Sequence, residues 1–427
     1  MKTRDEEVTM RTDPANAIIL ESDECGNQNN TFVSRDRLTY EHPLAIYVHV
    51  PFCMTKCTYC AFNTYTNLDH LVPAYVEALC REIELVAAKA PQRAVTTVFL
   101  GGGTPSLLSV EQHEHILDTL QRQFVVEADA EITLEANPND VSLDYATALR
   151  RVGYNRISLG MQSANARDLA LFRRRHDTDD VARAVSAARL GGFANINVDL
   201  IFGIPHQTRE EWTNTLEQAL ALRPSHISLY ALSIEEHTPM ETWVERGMLP
   251  MPEDDLSADM YGDAESVLAR AGFEQYEISN WSLPGFQCRH NLQYWRSLPY
   301  LGLGPGGHGF ASMVRYSTVL SPQRYIRVLT DSLVDELPFP QSPAVAESTS
   351  LTLEDEISEF LIMGLRLTRE GVCLKTFEAR FGISLLERHG ETLRRFEAYG
   401  LVAISKTHAH LTERGRFLSN AVFRELV

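Results

Sequence analysis

The chain has 427 residues, of which 44% are hydrophobic and 22% are charged, a composition typical of a soluble globular protein with two or three domains. Its formal net charge of −18 argues against a general nucleic-acid surface, which would be basic, so we expect no nucleic-acid partner. No apolar run approaches the roughly 20 residues of a membrane-spanning helix, and the N-terminus lacks a signal-peptide pattern. We therefore expect a cytoplasmic protein with no integral membrane segment.

Residues 1–40 are polar and lack periodicity, which predicts a mobile N-terminal extension. From Leu44 onward, within a unit that we bound at residues 41–338, short apolar and β-branched runs alternate with amphipathic stretches. The runs lie at 44–50, 95–100, 131–136, 156–162, 195–203 and 226–232. The amphipathic stretches lie at 73–89, 110–124, 142–152, 179–190 and 209–222. This alternation predicts the α/β class, with a parallel sheet covered by helices. Six strands suit an open, partial (β/α)6 barrel better than a closed barrel of eight.

Polar or turn-forming residues follow each predicted strand at or just past its C-terminal end. These positions are the cysteine-rich segment after the first run, then "GGGTP" at 101–105, Glu135, Gln162, Asp199, and Ala231 with Ser233. Any one of them could be a turn residue or a satisfied buried polar group. Because active sites of α/β barrels are built at the C-terminal rim of the strands, their common placement predicts a site at this rim.

Three of the seven cysteines, Cys53, Cys57 and Cys60, form the pattern C-x3-C-x2-C directly after the first strand. In a reducing compartment, clustered cysteines more often bind metal or do redox chemistry than form disulfides. Three thiolates on a four-iron cluster leave one iron open, as a reacting centre requires. The alternatives are a zinc site completed by His49 or His70, or unrelated thiols.

This motif resembles that of the radical S-adenosylmethionine (SAM) superfamily, whose three cysteines hold a 4Fe–4S cluster with SAM on the open iron. The resemblance implies that Tyr59 is the motif's aromatic residue, that "GGGTP" lies near the SAM amino group, and that Glu135 binds the ribose. The similarity is closest to one branch of this superfamily, that of the anaerobic coproporphyrinogen III oxidases and haem chaperones, and it extends from about Ala45 to the C-terminus. The segments that carry it are "YVHVPFC", "FLGGGTPS", "NVDLIFGIP" and "YWRSLPYLGLGPGGHGF".

Two features separate the members of that branch. The oxidase pattern has a further cysteine two positions after the third cluster cysteine, where this chain has Phe62. The segment "HNLQYW" matches the H-N-x-x-Y-W signature of the haem chaperones of the HemW family. The resemblance therefore implies haem binding by four residues of this segment, His290, Asn291, Tyr294 and Trp295. Imidazole can ligate haem iron and aromatic faces can pack on the macrocycle, although such residues could also form a packed, hydrogen-bonded corner.

Other site residues carry over from the family by position. Those that match contacts to the cluster-bound SAM are Tyr47, Gly102, Gly103, Thr104, Glu135 and His308. Those that match positions around a second SAM molecule in the oxidases are Tyr59, Gln162, Arg174, Asp199 and Ala231. Asp199 and Gln162 could equally lie next to the first SAM or the haem, or be structural.

The C-terminal part begins with a Pro/Ser-rich stretch at 339–350, which predicts a linker. Residues 351–427 then show helical patterns at 353–367, 374–381 and 384–399, a small hairpin and a last helix. This order resembles a winged-helix-like α+β module. Acidic and basic residues are balanced there without a basic stripe, so we expect it to pack on the barrel mouth rather than to bind DNA.

The preferred interpretation is a haem chaperone of radical SAM type that binds a 4Fe–4S cluster, SAM and haem. Its implied partners are haem-accepting proteins and an electron donor such as flavodoxin or ferredoxin. The main alternative is an oxygen-independent coproporphyrinogen III dehydrogenase of porphyrin biosynthesis, although Phe62 leads us to expect no such activity. Radical-based haem methylation or ring opening and a structural zinc protein are the remaining alternatives.

Overall fold

The computed structural model describes residues 42–90, 93–331 and 337–426. The predicted N-terminal extension lies outside these residues. Within them, no helix combines the length and the apolarity needed to cross a bilayer.

The main unit is an α/β fold built on six parallel strands, and the predicted fold class is confirmed. Strands β1 to β6 are Leu44–Val50, Ala94–Gly102, Val125–Ala136, Arg156–Gln162, Asn195–Phe202 and His226–Ala231. They lie side by side in chain order, each parallel to the next. The helices between them are α1 Val72–Ala87, α2 Val110–Gln123, α3 Leu143–Val152, α4 Ala166–Leu171, α5 Thr178–Leu190 and α6 Arg209–Ala221. The sequence prediction omitted only the short α4 from this set.

Local signals explain where several of these helices begin. Ser109 and Thr208 cap α2 and α6, and each forms a capping box with the third residue of its helix, Gln112 or Glu211. Such a box satisfies backbone N–H groups that the first helical turn leaves without partners. The sequence therefore sets the strand-to-helix turns that lie around the rim of the sheet.

Apolar and polar side chains alternate along each strand, so the sheet has an apolar face and a polar face. On β5, Ile196, Val198 and Leu200 are buried in the main hydrophobic core with the helices, whereas Asn197 and Asp199 bond to polar side chains of neighbouring strands. Successive strand residues point to opposite faces, so the other strands carry polar residues into the barrel interior in the same way. The barrel interior therefore carries polar side chains, and the main hydrophobic core lies between the sheet and the helices.

Six further strands extend the sheet at both edges, and the sequence prediction missed them. They are β7 Glu274–Glu277, β8 Asn280–Ser282, β9 Tyr300–Leu303, β10 His308–Ala311, β11 Val314–Thr318 and β12 Val345–Ser350. The full order is β12-β11-β10-β9-β1-β2-β3-β4-β5-β6-β8-β7. These strands have three to six residues and segments such as "EQYE" and "AESTS" have no apolar alternation, so they give no pattern that predicts a strand.

The helices after β6 are α7 Pro239–Glu245, α8 Asp254–Arg270, α9 Arg289–Trp295 and α10 Pro322–Asp331. Strand β12 corrects the linker prediction in part, because half of the stretch 339–350 pairs antiparallel with β11. Backbone hydrogen bonds along β11 hold this polar segment in the main sheet. The assignment of domain boundaries otherwise stays a prediction.

The C-terminal module has a small antiparallel sheet, in the order β13-β15-β14, and its own hydrophobic core. Its strands are β13 Val372–Cys373, β14 Val402–Ile404 and β15 His408–Leu411. Its helices are α11 Leu353–Gly364, α12 Leu374–Phe381, α13 Leu385–Arg388, α14 Gly390–Ala398, α15 Glu413–Phe417 and α16 Ser419–Phe423. The predicted helix 384–399 is divided at His389, whose backbone departs from helical geometry, and the predicted last helix is two short ones.

The module packs against α9 and the β7 edge of the main sheet. Arg366 lies over the ring of Trp295 at 4.7 Å, and the Thr368 N–H donates to the Tyr276 carbonyl at 3.1 Å. Arg380 donates to the Ser297 carbonyl at 3.1 Å. These contacts place the module beside the end of the barrel where the strands begin, not at the mouth where we expected it.

Candidate functional site

The loop that carries the three cysteines is tied to the barrel at several points. The Cys53 N–H donates to the Tyr65 carbonyl at 2.9 Å, and the Tyr65 N–H donates to the Pro51 carbonyl at 2.7 Å. Further along, the Thr58 hydroxyl donates to the carbonyl of Leu171, the last residue of α4, at 2.7 Å. The loop therefore starts and ends at the tip of β1 and crosses to the segment after β4, which holds the cysteines over the rim.

Cys53, Cys57 and Cys60 are free thiols, half-buried, and two of them accept hydrogen bonds from side chains. The Thr104 hydroxyl donates to Cys53 Sγ at 3.4 Å, and Arg174 Nη1 donates to Cys57 Sγ at 3.6 Å. The Thr64 hydroxyl lies beside Cys53 and Cys60, although it makes no hydrogen bond of normal geometry within the described residues. Donors of this kind stabilise thiolates bound to a metal centre.

Burial opposes these donors, and the net effect raises the pKa of Cys53 and Cys60. Metal binding by Cys53 and Cys60 at neutral pH would therefore release protons. No three His, Cys, Asp or Glu side chains of the described chain are grouped tightly enough to hold one metal ion. A 4Fe–4S cluster is bound by cysteines at separate corners, so the donor set and its spacing fit a cluster.

His49, one of the two histidines considered as a zinc ligand, makes hydrogen bonds with both ring nitrogens. His49 Nδ1 bonds to the Tyr47 hydroxyl at 3.0 Å, and Nε2 bonds to the Asn63 carbonyl at 2.9 Å. His70 is exposed in the turn before α1. His49 therefore supports the cysteine loop through Asn63 in this conformation.

The cysteines border a cavity of about 600 Å³ at the C-terminal rim of the strands, a volume in the range of small-molecule sites. The structure brings most of the sequence-predicted site residues together on its wall: Cys53, Cys57, Tyr59, Cys60, Gly102, Gly103, Thr104, Glu135, Gln162, Arg174, Asp199 and Ala231. Tyr47 and His308 are not on this wall. Tyr47 lies deeper in the barrel, and His308 is exposed near His49.

The glycines at the end of β2 are required by the close approach of two strand tips. A Cβ atom at Gly103 would lie 2.6 Å from the carbonyl oxygens of Val50 and Phe52, and one at Gly102 would overlap the His49 ring. Gly102 also has φ of +102°, which side chains disfavour. This approach lets the Thr104 N–H donate to the Phe52 carbonyl at 2.8 Å, and so places the Thr104 hydroxyl beside Cys53.

Two carboxylates face the cavity from β3 and β5. Glu135 Oε2 accepts a hydrogen bond from the Gly102 N–H at 3.0 Å, and burial together with the charge of Asp199 raises the pKa of Glu135 to about 7. Asp199 accepts from Ser158 at 2.9 Å and from Asn197 at 2.8 Å. Burial raises the pKa of Asp199 as well. Both carboxyl groups face the cavity, where a cationic or hydroxyl-bearing ligand would stabilise their charged forms.

Glu135 makes the ligand-free protein sensitive to pH. Because folding raises the pKa of Glu135, the protonated carboxyl stabilises the folded protein relative to the charged carboxylate. This stabilisation is lost as pH rises from 4.5 to about 7. We expect Glu135→Gln to be more stable than the wild type by about 3 kcal/mol at pH 8 and nearly equal to it at pH 4.5. Thermal unfolding of the cluster-free proteins across this range measures the difference.

Glu235 provides the matched control, since its carboxylate borders the same cavity but is exposed. Glu235→Gln should shift the unfolding temperature by a similar small amount at every pH. Parallel stability curves for wild type and Glu135→Gln would contradict the assigned pKa.

The "HNLQYW" residues lie on and around α9, at the opposite end of the barrel interior from the cysteines. His290 is 1% exposed; its Nδ1 bonds to the Thr97 hydroxyl at 2.7 Å and its Nε2 to the Tyr294 hydroxyl at 2.8 Å. Its ring stacks on Phe99 at 5.1 Å, and burial lowers its pKa to about 3. Haem contact at His290, Asn291, Tyr294 and Trp295 stays a prediction, and iron can reach the His290 ring only after these hydrogen bonds break.

Sequence reasoning missed the residue that docks this helix. Glu131, on β3, is 5% exposed and accepts the N–H groups of Arg289 and His290, each at 3.0 Å. It also accepts a hydrogen bond from Cys288 Sγ at 3.4 Å. The alternation of side chains along β3 could have identified Glu131. It is four residues before Glu135, so both side chains point to the same face of the sheet, into the barrel.

Comparisons with known proteins agree with this arrangement. The profile of the Radical SAM superfamily matches residues 47–219, and that of the HemN C-terminal domain matches residues 351–418. The heme chaperone HemW of Mycobacterium tuberculosis (strain CDC 1551 / Oshkosh) is 39% identical over 389 residues, which cover 90% of this chain and 95% of that protein. The chain belongs to the HemW family of radical SAM proteins. The predicted branch is thereby confirmed.

Other members of the HemW family show the same extent of similarity. The heme chaperone HemW of Bacillus subtilis (strain 168) is 35% identical over 378 residues, which cover 88% of this chain and 97% of that protein. Among solved structures, the coproporphyrinogen III oxidase HemN from Escherichia coli, a radical SAM enzyme, superposes with a TM-score of 0.76 at 25% identity. The match covers 90% of each chain. The HemW family thus shares its fold with an oxidase.

Proposed function

We propose that this protein is a haem chaperone that binds a 4Fe–4S cluster, SAM and haem and transfers haem to acceptor proteins. The observation that carries the proposal is the cavity wall, where three free cysteines are followed by the exposed Phe62 instead of a fourth cysteine. Similarity to HemW proteins over nearly the whole chain supports the haem function.

The chain's own residues have separable tasks in this proposal. Cys53, Cys57 and Cys60 would hold the cluster, which supplies an open iron for SAM and a site for one-electron transfer. Thr104 donates to Cys53 and Arg174 donates to Cys57, and these donors would stabilise the thiolates that hold the cluster. The glycine-bearing tip of β2 and Glu135 would bind SAM beside the cluster, with the backbone N–H of Gly102 fixing the carboxylate.

The partners follow from the same proposal. Haem-accepting proteins would take the cargo, and an electron donor such as flavodoxin or ferredoxin would reduce the cluster. The net charge of −18 supports the absence of a nucleic-acid partner. A cytoplasmic location fits the free cysteines, because such thiols persist in reducing compartments.

The second candidate is an oxygen-independent coproporphyrinogen III dehydrogenase, which the fold shared with the HemN oxidase favours. The oxidase pattern has a cysteine where this chain has Phe62, and Phe62 is 67% exposed at the cavity. A phenyl ring cannot replace a thiol in proton or hydrogen transfer. We therefore rank this reaction below haem transfer.

One experiment separates the two candidates. After anaerobic reconstitution with iron and sulfide, we expect saturable haem binding, seen as a Soret band in a titration. With SAM, a reductant and coproporphyrinogen III, we expect no protoporphyrinogen IX by chromatography. Formation of that product would establish the dehydrogenase instead, and a reconstituted protein that binds no haem would overturn the chaperone proposal.

A further inference from the structure

The mouth of the cysteine-lined cavity exposes large apolar side chains. Met54, Phe62 and Tyr230 border this cavity and are 63%, 67% and 45% exposed. Met54 and Phe62 both belong to the cysteine loop. Single exposed apolar residues are common, but a group of them around one opening marks a ligand or partner surface.

Cations lie next to these apolar side chains. Lys56 and Arg173 are exposed, border the same cavity, and have no ion-pair partner among the residues that the structure describes. Arg175, in contrast, is engaged with Asp140 at 2.8 Å and with Met54 Sδ at 3.2 Å. The mouth therefore offers two positive charges to an incoming anion.

The two cations are on neighbouring segments, so they can act on one ligand. The Thr58 N–H donates to the Phe172 carbonyl at 3.4 Å, and Arg174 donates to Cys57 Sγ at 3.6 Å. These contacts join the loop around Lys56 to the segment that holds Arg173. The exposed acid of the mouth, Glu235, follows β6 on another part of the wall.

We propose that haem docks at this mouth, with its macrocycle against Phe62 and Met54 and its two propionates paired with Lys56 and Arg173. Haem is a flat apolar disc with two carboxylates on one side, which is the complement of an apolar rim with two cations on one side. This inference rests on the proposed haem chaperone function and names where the cargo first binds.

The alternative place for haem is the "HNLQYW" helix, and its geometry makes first docking there costly. His290 and Tyr294 bond to each other, and His290 also bonds to Thr97. Entry of haem would break these buried hydrogen bonds and leave polar groups unpaired. The mouth residues are already exposed, and docking there would displace only surface contacts, those of Met54 with Arg175 and of Arg173 with the Trp243 ring.

The test uses the full chain with its cluster reconstituted and haem as the titrant. We expect Phe62→Ala to weaken haem binding about 10-fold, and the double variant Lys56→Glu, Arg173→Glu to weaken it about 100-fold. Leu190→Ala is the matched apolar control, being 73% exposed on α5, and Arg151→Glu is the charge control on α3. Both controls should bind haem as the wild type does.

Iron-free porphyrins separate the two kinds of contact. Protoporphyrin IX should show the same losses as haem, because the docking contacts are to the macrocycle and the carboxylates. The dimethyl ester of protoporphyrin IX should bind the charge-reversed variant and the wild type alike, while Phe62→Ala still weakens it. Iron content and the SAM-induced spectral change check that each variant keeps its cluster. The conservative variants Phe62→Trp and Lys56→Arg should bind haem as the wild type does.

The outcomes distinguish this inference from the function on which it rests. Haem affinity that stays within twofold of wild type in both mouth variants would overturn the inference while the chaperone proposal stands. Loss of haem binding in His290→Ala, with the mouth variants unaffected, would place the cargo on α9 instead. A wild-type protein that binds no haem would overturn both proposals together.

Discussion

Replacing Cys57 with alanine is expected to abolish assembly of the cluster. Wild-type protein reconstituted anaerobically should contain about four iron ions per chain, and the variant close to none, because two thiolates cannot retain a cluster that three hold. The loss of Cys57 also removes the acceptor for Arg174 and leaves this largely buried cation beside an apolar gap. Iron and sulfide analysis, together with the charge-transfer absorption of the cluster, measures the effect.

Cys80 provides the matched control for this variant. It is a free thiol on α1, buried against the outer core and remote from the cavity. Cys80→Ala should therefore keep its full complement of iron. Equal iron content in Cys57→Ala and the wild type would show that the three cysteines of the loop are not the cluster ligands.

Glu131→Ala is expected to cost about 3 kcal/mol in the free energy of unfolding, because it leaves two buried backbone N–H groups of α9 without an acceptor. It also removes one negative charge near the buried Arg156. The fall in the unfolding midpoint, and the near-ultraviolet circular dichroism of the aromatic residues around α9, report the undocking of the helix.

Asp129 is the control that isolates the role of burial. It lies two residues earlier on β3 and also contacts Arg289, at 3.3 Å, but its side chain is 80% exposed. Asp129→Ala should cost no more than about 1 kcal/mol, as exposed ion pairs do. If the two variants unfold at the same midpoint, the buried carboxylate does not hold α9.

The sequence predicted the six parallel strands well because each combines a buried apolar face with turn residues at its end. β1 and β4 begin and end where the apolar runs do, and the helices differ by one or two residues at their ends. The rim position of Glu135 and Asp199 could be inferred in the same way, since it depends only on strand ends. The roles assigned to these residues stay predictions.

The arrangement at the other end of the barrel could not be inferred from local patterns. The place of His290 depends on Thr97, Phe99 and Glu131, which are more than 150 positions away in the chain. A motif with histidine and aromatics gives the same signal whether it faces a ligand or fills a core. The position of the C-terminal module was missed for the same reason, because Arg366 contacts Trp295 of α9 and Arg380 contacts Ser297, just after that helix, across the fold.

Among the residues that the structure describes, the packing of α9 fills the end of the barrel where the strands begin. Cys288, Phe99 and Tyr276 form a buried apolar group at the end where the strands begin, and His290 stacks on Phe99. A ligand of the inner cavity would then enter at the end that carries the cysteines, past Met54 and Phe62. If haem docks over this mouth as proposed, SAM would have to bind in the cavity before haem and could leave only after haem has gone. Under the proposed function, haem docked over the mouth would therefore hold SAM in the cavity until the haem is transferred.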